Sequence, residues 1–197
     1  RPATGTKRHA KKRIATLDTL TSIRESLVEH PRSRSVAFIT KTSNQTMAAV
    51  IGDRIQKDYA SITIPGVIYS PDGSRWAYGA AVGEKRVMVA DGVESKPYDG
   101  IGTDPVFSPD GKRMAFVALR GEKQMVVTDG KEGKAYRGIG AIGPIFSPDS
   151  KHLAYVVVDS PWSMMVLDGK EGRKHNSIVM SSIVLTRDAK RTAYVAV

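Results

Sequence analysis

From residue 35 onward the apolar positions fall in short runs separated by polar turns, with no helical period among them. Met114 to Leu119 is a β-prone apolar run, Arg120-Gly121-Glu122-Lys123 is a polar turn, and Gln124 to Thr128 is a second apolar run. Pro105-Val106-Phe107 precedes them across Ser108-Pro109-Asp110-Gly111, where proline presets φ at the second turn position and Asp-Gly supplies the turning residues. Asp129-Gly130-Lys131-Glu132-Gly133 then turns the chain into Lys134 to Ile139, whose charges suit an edge strand. The pattern predicts four short antiparallel strands, a to d in chain order. Residues 14 to 31 differ: Ile14, Leu17, Leu20, Ile23, Leu27 and Val28 recur every three or four residues and Pro31 is a stop, which predicts one short amphipathic helix.

The four-strand unit repeats. Tyr69-Ser70-Pro71-Asp72-Gly73 returns as Phe107-Ser108-Pro109-Asp110-Gly111 and Phe146-Ser147-Pro148-Asp149-Ser150, then decays to Leu185-Thr186-Arg187-Asp188-Ala189, with aspartates 38, 39 and 39 residues apart. Alanine followed by an aromatic residue stands at Ala37-Phe38, Ala77-Tyr78, Ala115-Phe116, Ala154-Tyr155 and Ala193-Tyr194. Asp-Gly stands at 91, 129 and 168, reversed as Gly52-Asp53 in the first unit, and a fourth marker is Tyr59, Tyr98 and Tyr136, replaced by His175. Four markers on one period of about 39 residues are the signature of a β-propeller blade.

The Phe/Tyr-Ser-Pro-Asp-Gly turn followed by Ala-Phe/Tyr resembles the WD-repeat-like blades of the TolB-like propellers, most strongly over residues 67 to 169. The resemblance implies an all-β propeller of about four four-stranded blades and a role as a docking platform. It specifies little chemistry, because such blades also occur as non-catalytic domains of hydrolases. The domain reading is a basic tail plus amphipathic helix over 1–34 and TolB-like repeats over 35–197. The first unit lacks a strand a of its own, while the tail supplies strand a at Ser182 to Thr186 and strand b at Thr192 to Val197. Thr192 to Val197 is then surplus to a four-bladed ring, so the expectation is an open arc, cut from a longer chain or completed by a second copy.

Composition narrows the chemistry. With 197 residues, 41% of them apolar, the chain can bury a core, and no apolar run approaches the roughly 18 residues needed to span a bilayer. The absence of cysteine excludes disulfides, thiolate metal sites and cysteine nucleophiles. Arg1 in place of Met leaves room for a removed leading segment, and the compartment stays open. Of the net charge of +10, residues 1 to 34 hold nine Lys/Arg against three Asp/Glu; Lys7, Arg8, Lys11, Lys12 and Arg13 form a basic tail that could neutralise phosphates or simply solubilise.

The aspartates at 72, 110, 149 and 188, one per unit at one hairpin, are expected to serve the turn rather than a metal. His9, His30, His152 and His175 lie far apart in unlike contexts, and His175 is expected to replace a tyrosine ring. The nucleophile elbow, phosphate loop and dinucleotide fingerprint are absent, and Gly138-Ile139-Gly140-Ala141-Ile142-Gly143 runs into Pro144 rather than a helix. The expectation is a non-enzymatic interaction module with no cofactor, binding a protein or peptide on the face of the b–c hairpins and d–a crossings. Trp162, Ile142, Met180, Asp104, Arg120 and Arg86 are the candidate contacts. Trp162 stands out because no other unit has an indole there, although packing on its own hairpin explains it equally; Trp76, opening a strand b, reads as core. The alternatives are nucleic-acid association through the tail and a non-catalytic domain of a larger hydrolase.

Overall fold

A computed structural model describes residues 26–42, 44–63, 65–186 and 192–197. The first sheet consists of β1 (Val28–Glu29), β2 (Val36–Lys41), β3 (Met47–Ile51) and β4 (Arg54–Tyr59), and the second of β5 (Ile68–Tyr69), β6 (Trp76–Val82), β7 (Lys85–Ala90) and β8 (Val93–Glu94). The third holds β10 (Val106–Phe107), β11 (Met114–Arg120), β12 (Lys123–Thr128) and β13 (Lys131–Glu132), with β9 (Gly100–Ile101) also paired to β11. The fourth is β14 (Ile145–Phe146), β15 (Leu153–Asp159), β16 (Trp162–Leu167) and β17 (Lys170–His175). A fifth sheet has two strands, β18 (Ile178–Leu185) and β19 (Thr192–Ala196). All pairings are antiparallel and, apart from that of β9 with β11, follow chain order, because each connection inside a repeat is a tight hairpin. The protein is an all-β propeller arc, and among the described residues no helix is long and apolar enough to cross a membrane.

The second strands of the second, third and fourth repeats are buried on both faces, which is why β11 and β15 read as continuous apolar runs rather than alternating ones. In these three sheets one face meets the next sheet, and the other meets the preceding one. Ala37, Ala77, Ala115 and Ala154 are fully buried where the following sheet lies against them. The aromatic beside each alanine faces the other way and packs edge-on against a ring of the preceding outer strand: Tyr78 with Tyr59, Phe116 with Tyr98, Tyr155 with Tyr136, Tyr194 with His175. His175 thus replaces a tyrosine ring, as its place in the period predicts. Trp76 is half-buried, stacked on Tyr78 and packed against the seam of the first two sheets.

Four expectations change. The predicted helix over 14 to 31 lies outside the described residues up to residue 25, and its described end is strand: Val28 and Glu29 pair with Ala37 and Val36. The first repeat therefore has an inner strand, and the tail does not complete it; β18 pairs with β19 instead. Met180, expected on the face of the b–c hairpins and d–a crossings, is a residue of strand β18. The outer strand begins directly after the two-residue Asp-Gly turn, since Thr128 pairs with Lys131, and it breaks at Gly133, whose N–H reaches the Val126 carbonyl at 2.9 Å. Ile139 has already crossed to Val157 of the next sheet. The inner strand consequently comes in two pieces, such as Gly100–Ile101 and Val106–Phe107 on β11, with the segment between them looping out.

Candidate functional site

The repeated carboxylates are built into the turns. Asp72, Asp110 and Asp149 each accept the hydroxyl of the preceding Ser70, Ser108 or Ser147 at 2.6 Å and a backbone N–H two residues on at 3.1 to 3.2 Å. The Ser70 hydroxyl and the Ser74 contacts hold the Asp72 carboxyl down at about 2, and Asp110 and Asp149 are lowered in the same way. Asp188 lies outside the described residues. Asp91, Asp129 and Asp168 adopt left-handed backbone and bind twice: one oxygen takes the N–H that opens the second strand, at Trp76, Met114 and Leu153. The other takes Arg75, Arg113 or His152. Those two arginines reach onward to the Lys112 and Lys151 carbonyls of the next hairpin. His30 is equally structural, donating Nε2–H to the Gly73 carbonyl at 2.8 Å while Nδ1 accepts from Arg32 and Ser33.

A second ladder runs along the outer strands. Tyr59, Tyr98 and Tyr136 donate their hydroxyls to Glu94, Glu132 and Glu171 of the next repeat at 2.8, 3.2 and 3.0 Å, and Lys57, Lys96 and Lys134 pair with the same carboxylates. Arg120 belongs to this ladder. Its guanidinium grips Glu132 through two bonds of 3.0 and 2.8 Å and lies 5.5 Å from the centre of the Tyr98 ring. The Arg120 guanidinium pulls Glu132 down to about 2, and burial followed by the Glu132 charge pushes Tyr98 up to about 12. Arg120 is thus paired within the chain while its side chain stays 52% exposed, and Arg86 Nη1 donates to the Lys85 carbonyl at 3.2 Å.

The six expected contacts do not form one site. Asp104 and Ile142 come together in a cleft of about 480 Å³ formed by the looped-out segments of successive repeats, with Thr63 and Thr103 as neighbours. Met180 stands beside this group: a Cβ on Gly140 would lie 2.9 Å from its sulfur. Trp162 lies apart, 45% exposed, in a second cleft of about 210 Å³ between the outer strands of the third and fourth repeats. Its indole is half-covered rather than core, with Val157, Asp159 and Met164 of its own hairpin lining the same cleft. Lys123 and Arg137 share that cleft and were missed, because in sequence they look like any turn and outer-strand cations. Thr63 and Thr103 left no signal at all, since the loop-out that exposes them is invisible in the period. The basic residues Lys7, Arg8, Lys11, Lys12 and Arg13 lie outside the described residues.

No protein-family model matches the chain, and neither does any curated protein. Solved structures do. The chain is similar to a structure described as a eukaryotic initiation factor, with a TM-score of 0.52 and 9% identity over 90% of this chain and 48% of that one. It is similar to TolB from Acinetobacter baumannii, with a TM-score of 0.45 and 16% identity over 85% and 45% of the two chains. The β-propeller domain of the Trilobed protease from Pyrococcus furiosus gives 0.45 and 15% over 75% and 56%. The chain spans about half the length of these structures. Likenesses at such identity concern fold alone.

Proposed function

We propose that this chain is a non-enzymatic propeller module of the TolB-like kind that binds a protein or peptide on the face of its b–c hairpins and d–a crossings. The observation that carries this reading is the cleft of about 480 Å³ at Asp104 and Ile142. It is built from loop-outs whose length exceeds what strand pairing requires. It presents a carboxylate and an isoleucine that remains 42% exposed, beside two threonines whose hydroxyls bond to the Gly79 carbonyl and the Val117 N–H, the mixed apolar and polar character of a peptide-docking surface. On the opposite hairpin face the aspartates, arginines and serines are engaged with one another and with backbone.

Selection of binders from a phage-displayed peptide library against the 197-residue chain tests the reading. Asp104→Ala and Ile142→Asp are each expected to weaken binders of this cleft by ~10-fold or more, with the thermal midpoint within about 2 °C of the parent. Binders indifferent to both substitutions and lost on Lys112→Glu would move function to the opposite face. Nucleic-acid binding that falls steeply with salt and disappears on deletion of residues 1–13 would favour the basic tail instead.

A further inference from the structure

At one corner the repeats depart from their own pattern. Between the second and third repeats the Asp99 carboxylate accepts from Lys85 Nζ and from the Gly121 N–H at 2.6 Å, clasping the end of one outer strand to the next b–c hairpin. Lys85 and the Gly121 N–H both hold Asp99 below its usual carboxylate range. One repeat later Lys123 stands in the place of Lys85, but Arg137 stands in the place of Asp99, and the hairpin is Ser160-Pro161. Two cations now face the position where a lysine and a carboxylate made a pair. Arg137 has Asp159 at 3.8 Å, with the two side chains 72% and 52% exposed, a pair that water screens heavily. Among the described residues Lys123 has no ion pair.

The same corner carries a second departure. Strands β7, β12 and β16 open at Lys85, Lys123 and Trp162, so the indole replaces a lysine of the repeat. It stands over a cleft whose floor includes the buried Val157 and Met164. A missing carboxylate and an exposed indole, both on one cleft and neither required by the blade, together describe a ligand's two chemical groups.

We propose that this corner binds an acidic peptide segment, in which one carboxylate seats between Lys123 and Arg137, as Asp99 seats against Lys85, and an adjoining apolar or aromatic side chain covers Trp162. The proposal rests on the reading of this face as a peptide-binding surface and names the partner chemistry at its outer edge. Charge complementarity selects this occupant. A single-stranded nucleic acid would also stack on an indole, but Asp159 and Glu171 stand among the cations of the same cleft, an alternation of sign that suits one carboxylate seated at Lys123 and Arg137 better than a chain that bears a charge at every nucleotide. A peptide carries its carboxylate at one position and an uncharged backbone beyond it.

Peptides selected against the 197-residue chain are expected to share Asp or Glu beside an aromatic or large aliphatic residue. Measured by fluorescence anisotropy, such a labelled peptide is expected to lose ~10-fold or more in affinity on Trp162→Ala, on Lys123→Glu, and on exchange of its acid for the amide. Lys123 is an exposed residue, so Lys123→Glu tests the corner even where Trp162→Ala disturbs the fold. Binders that lose affinity on Asp104→Ala but ignore Lys123→Glu would leave the binding face standing and overturn the acidic-peptide corner; binders indifferent to both, or no binders at all, would overturn both. Binding of single-stranded oligothymidylate that Trp162→Ala abolishes, with no acidic preference among the peptides, would assign the corner to nucleic acid.

Discussion

Gly111 and Gly130 hold nearly the same left-handed backbone, with φ of +73° and +77°, yet they stand in different surroundings. A Cβ on Gly130 would meet nothing within 4 Å, whereas one on Gly111 would overlap the Asp72 carboxylate and lie 2.9 Å from its Cγ, because the hairpin of one repeat nests on that of the next. Gly130→Ala is therefore expected to cost about 1–2 kcal/mol in backbone strain alone, and Gly111→Ala clearly more. Equal losses in chemical denaturation would show that the nesting contributes nothing. Asp129 permits a second comparison, since its φ is +51° and its carboxylate takes both the Met114 N–H and Arg113. Asp129→Ala should destabilise by about 2 kcal/mol and Asp129→Asn by distinctly less, because asparagine tolerates this backbone and keeps one acceptor. The turn role of these aspartates was legible from their spacing and from the glycine beside them. What spacing could not tell is that Gly111 serves the preceding hairpin, or that Arg75 and Arg113 bridge to the following one; such contacts join repeats and leave no mark within one.

Between elements, the acidic ladder makes the outer strands sensitive to low pH. The Arg120 guanidinium lowers Glu132 from 4.5 to about 2, and Lys57 and Lys134 lower Glu94 and Glu171. A carboxylate lowered in the folded state contributes stability that is complete above its unfolded value and is lost as pH falls through its folded value. The thermal midpoint is accordingly expected to fall between about pH 4.5 and pH 2, and Glu132→Gln should lower it at neutral pH while flattening that acid limb. An acid limb of unchanged slope in the variant would remove Glu132 from the cause. Strands β11, β12, β15 and β16 were readable from apolar runs between polar turns, because burial on both faces allows little else. β1 was not: Leu27 and Val28 fit a helical period at the end of a longer apolar series, and only the pairing of Val28 with Ala37 decides for strand. The split inner strands were equally hidden, since one contact such as Ile139 with Val157 lies outside any run. Of the expected site, Trp162 was legible as an indole that the repeat does not need. That Arg120 is gripped by Glu132 was not legible, because a turn arginine with a partner and one without look identical in sequence.

At the scale of the molecule, the arc presents two unlike faces at its ends. Tyr78, Phe116 and Tyr155 are buried against a preceding sheet, but Phe38 is only half-buried, since among the described residues no sheet precedes it. Ala37, Ala77, Ala115 and Ala154 are fully buried, whereas Ala193 is exposed on β19. Along β19 the exposed positions are Ala193 and Val195, followed by Val197, and Val179 and Val184 of β18 are exposed as well, so the fifth sheet turns an apolar face outward. β19 also pairs with β18 alone, leaving one edge of its backbone groups without a strand among the described residues. An apolar sheet face with an open edge favours pairing with another chain, and no charged side chain on β19 opposes it. Light scattering of the 197-residue chain is therefore expected to give a mass that rises with concentration. A charge placed in the middle of that face has to be desolvated whenever the face is covered, so Val195→Glu should hold the chain near its single-chain mass. The four preceding sheets should keep their thermal transition, because Val195 points away from the seam that Tyr194 and Ala196 form with the fourth sheet. A single-chain mass at every concentration in the unsubstituted protein would show that the outward face of the fifth sheet is tolerated in water. An association that Val195→Glu leaves intact would place the contact elsewhere, with the Leu27 and Ile55 side chains exposed on the first repeat as the next surface to charge.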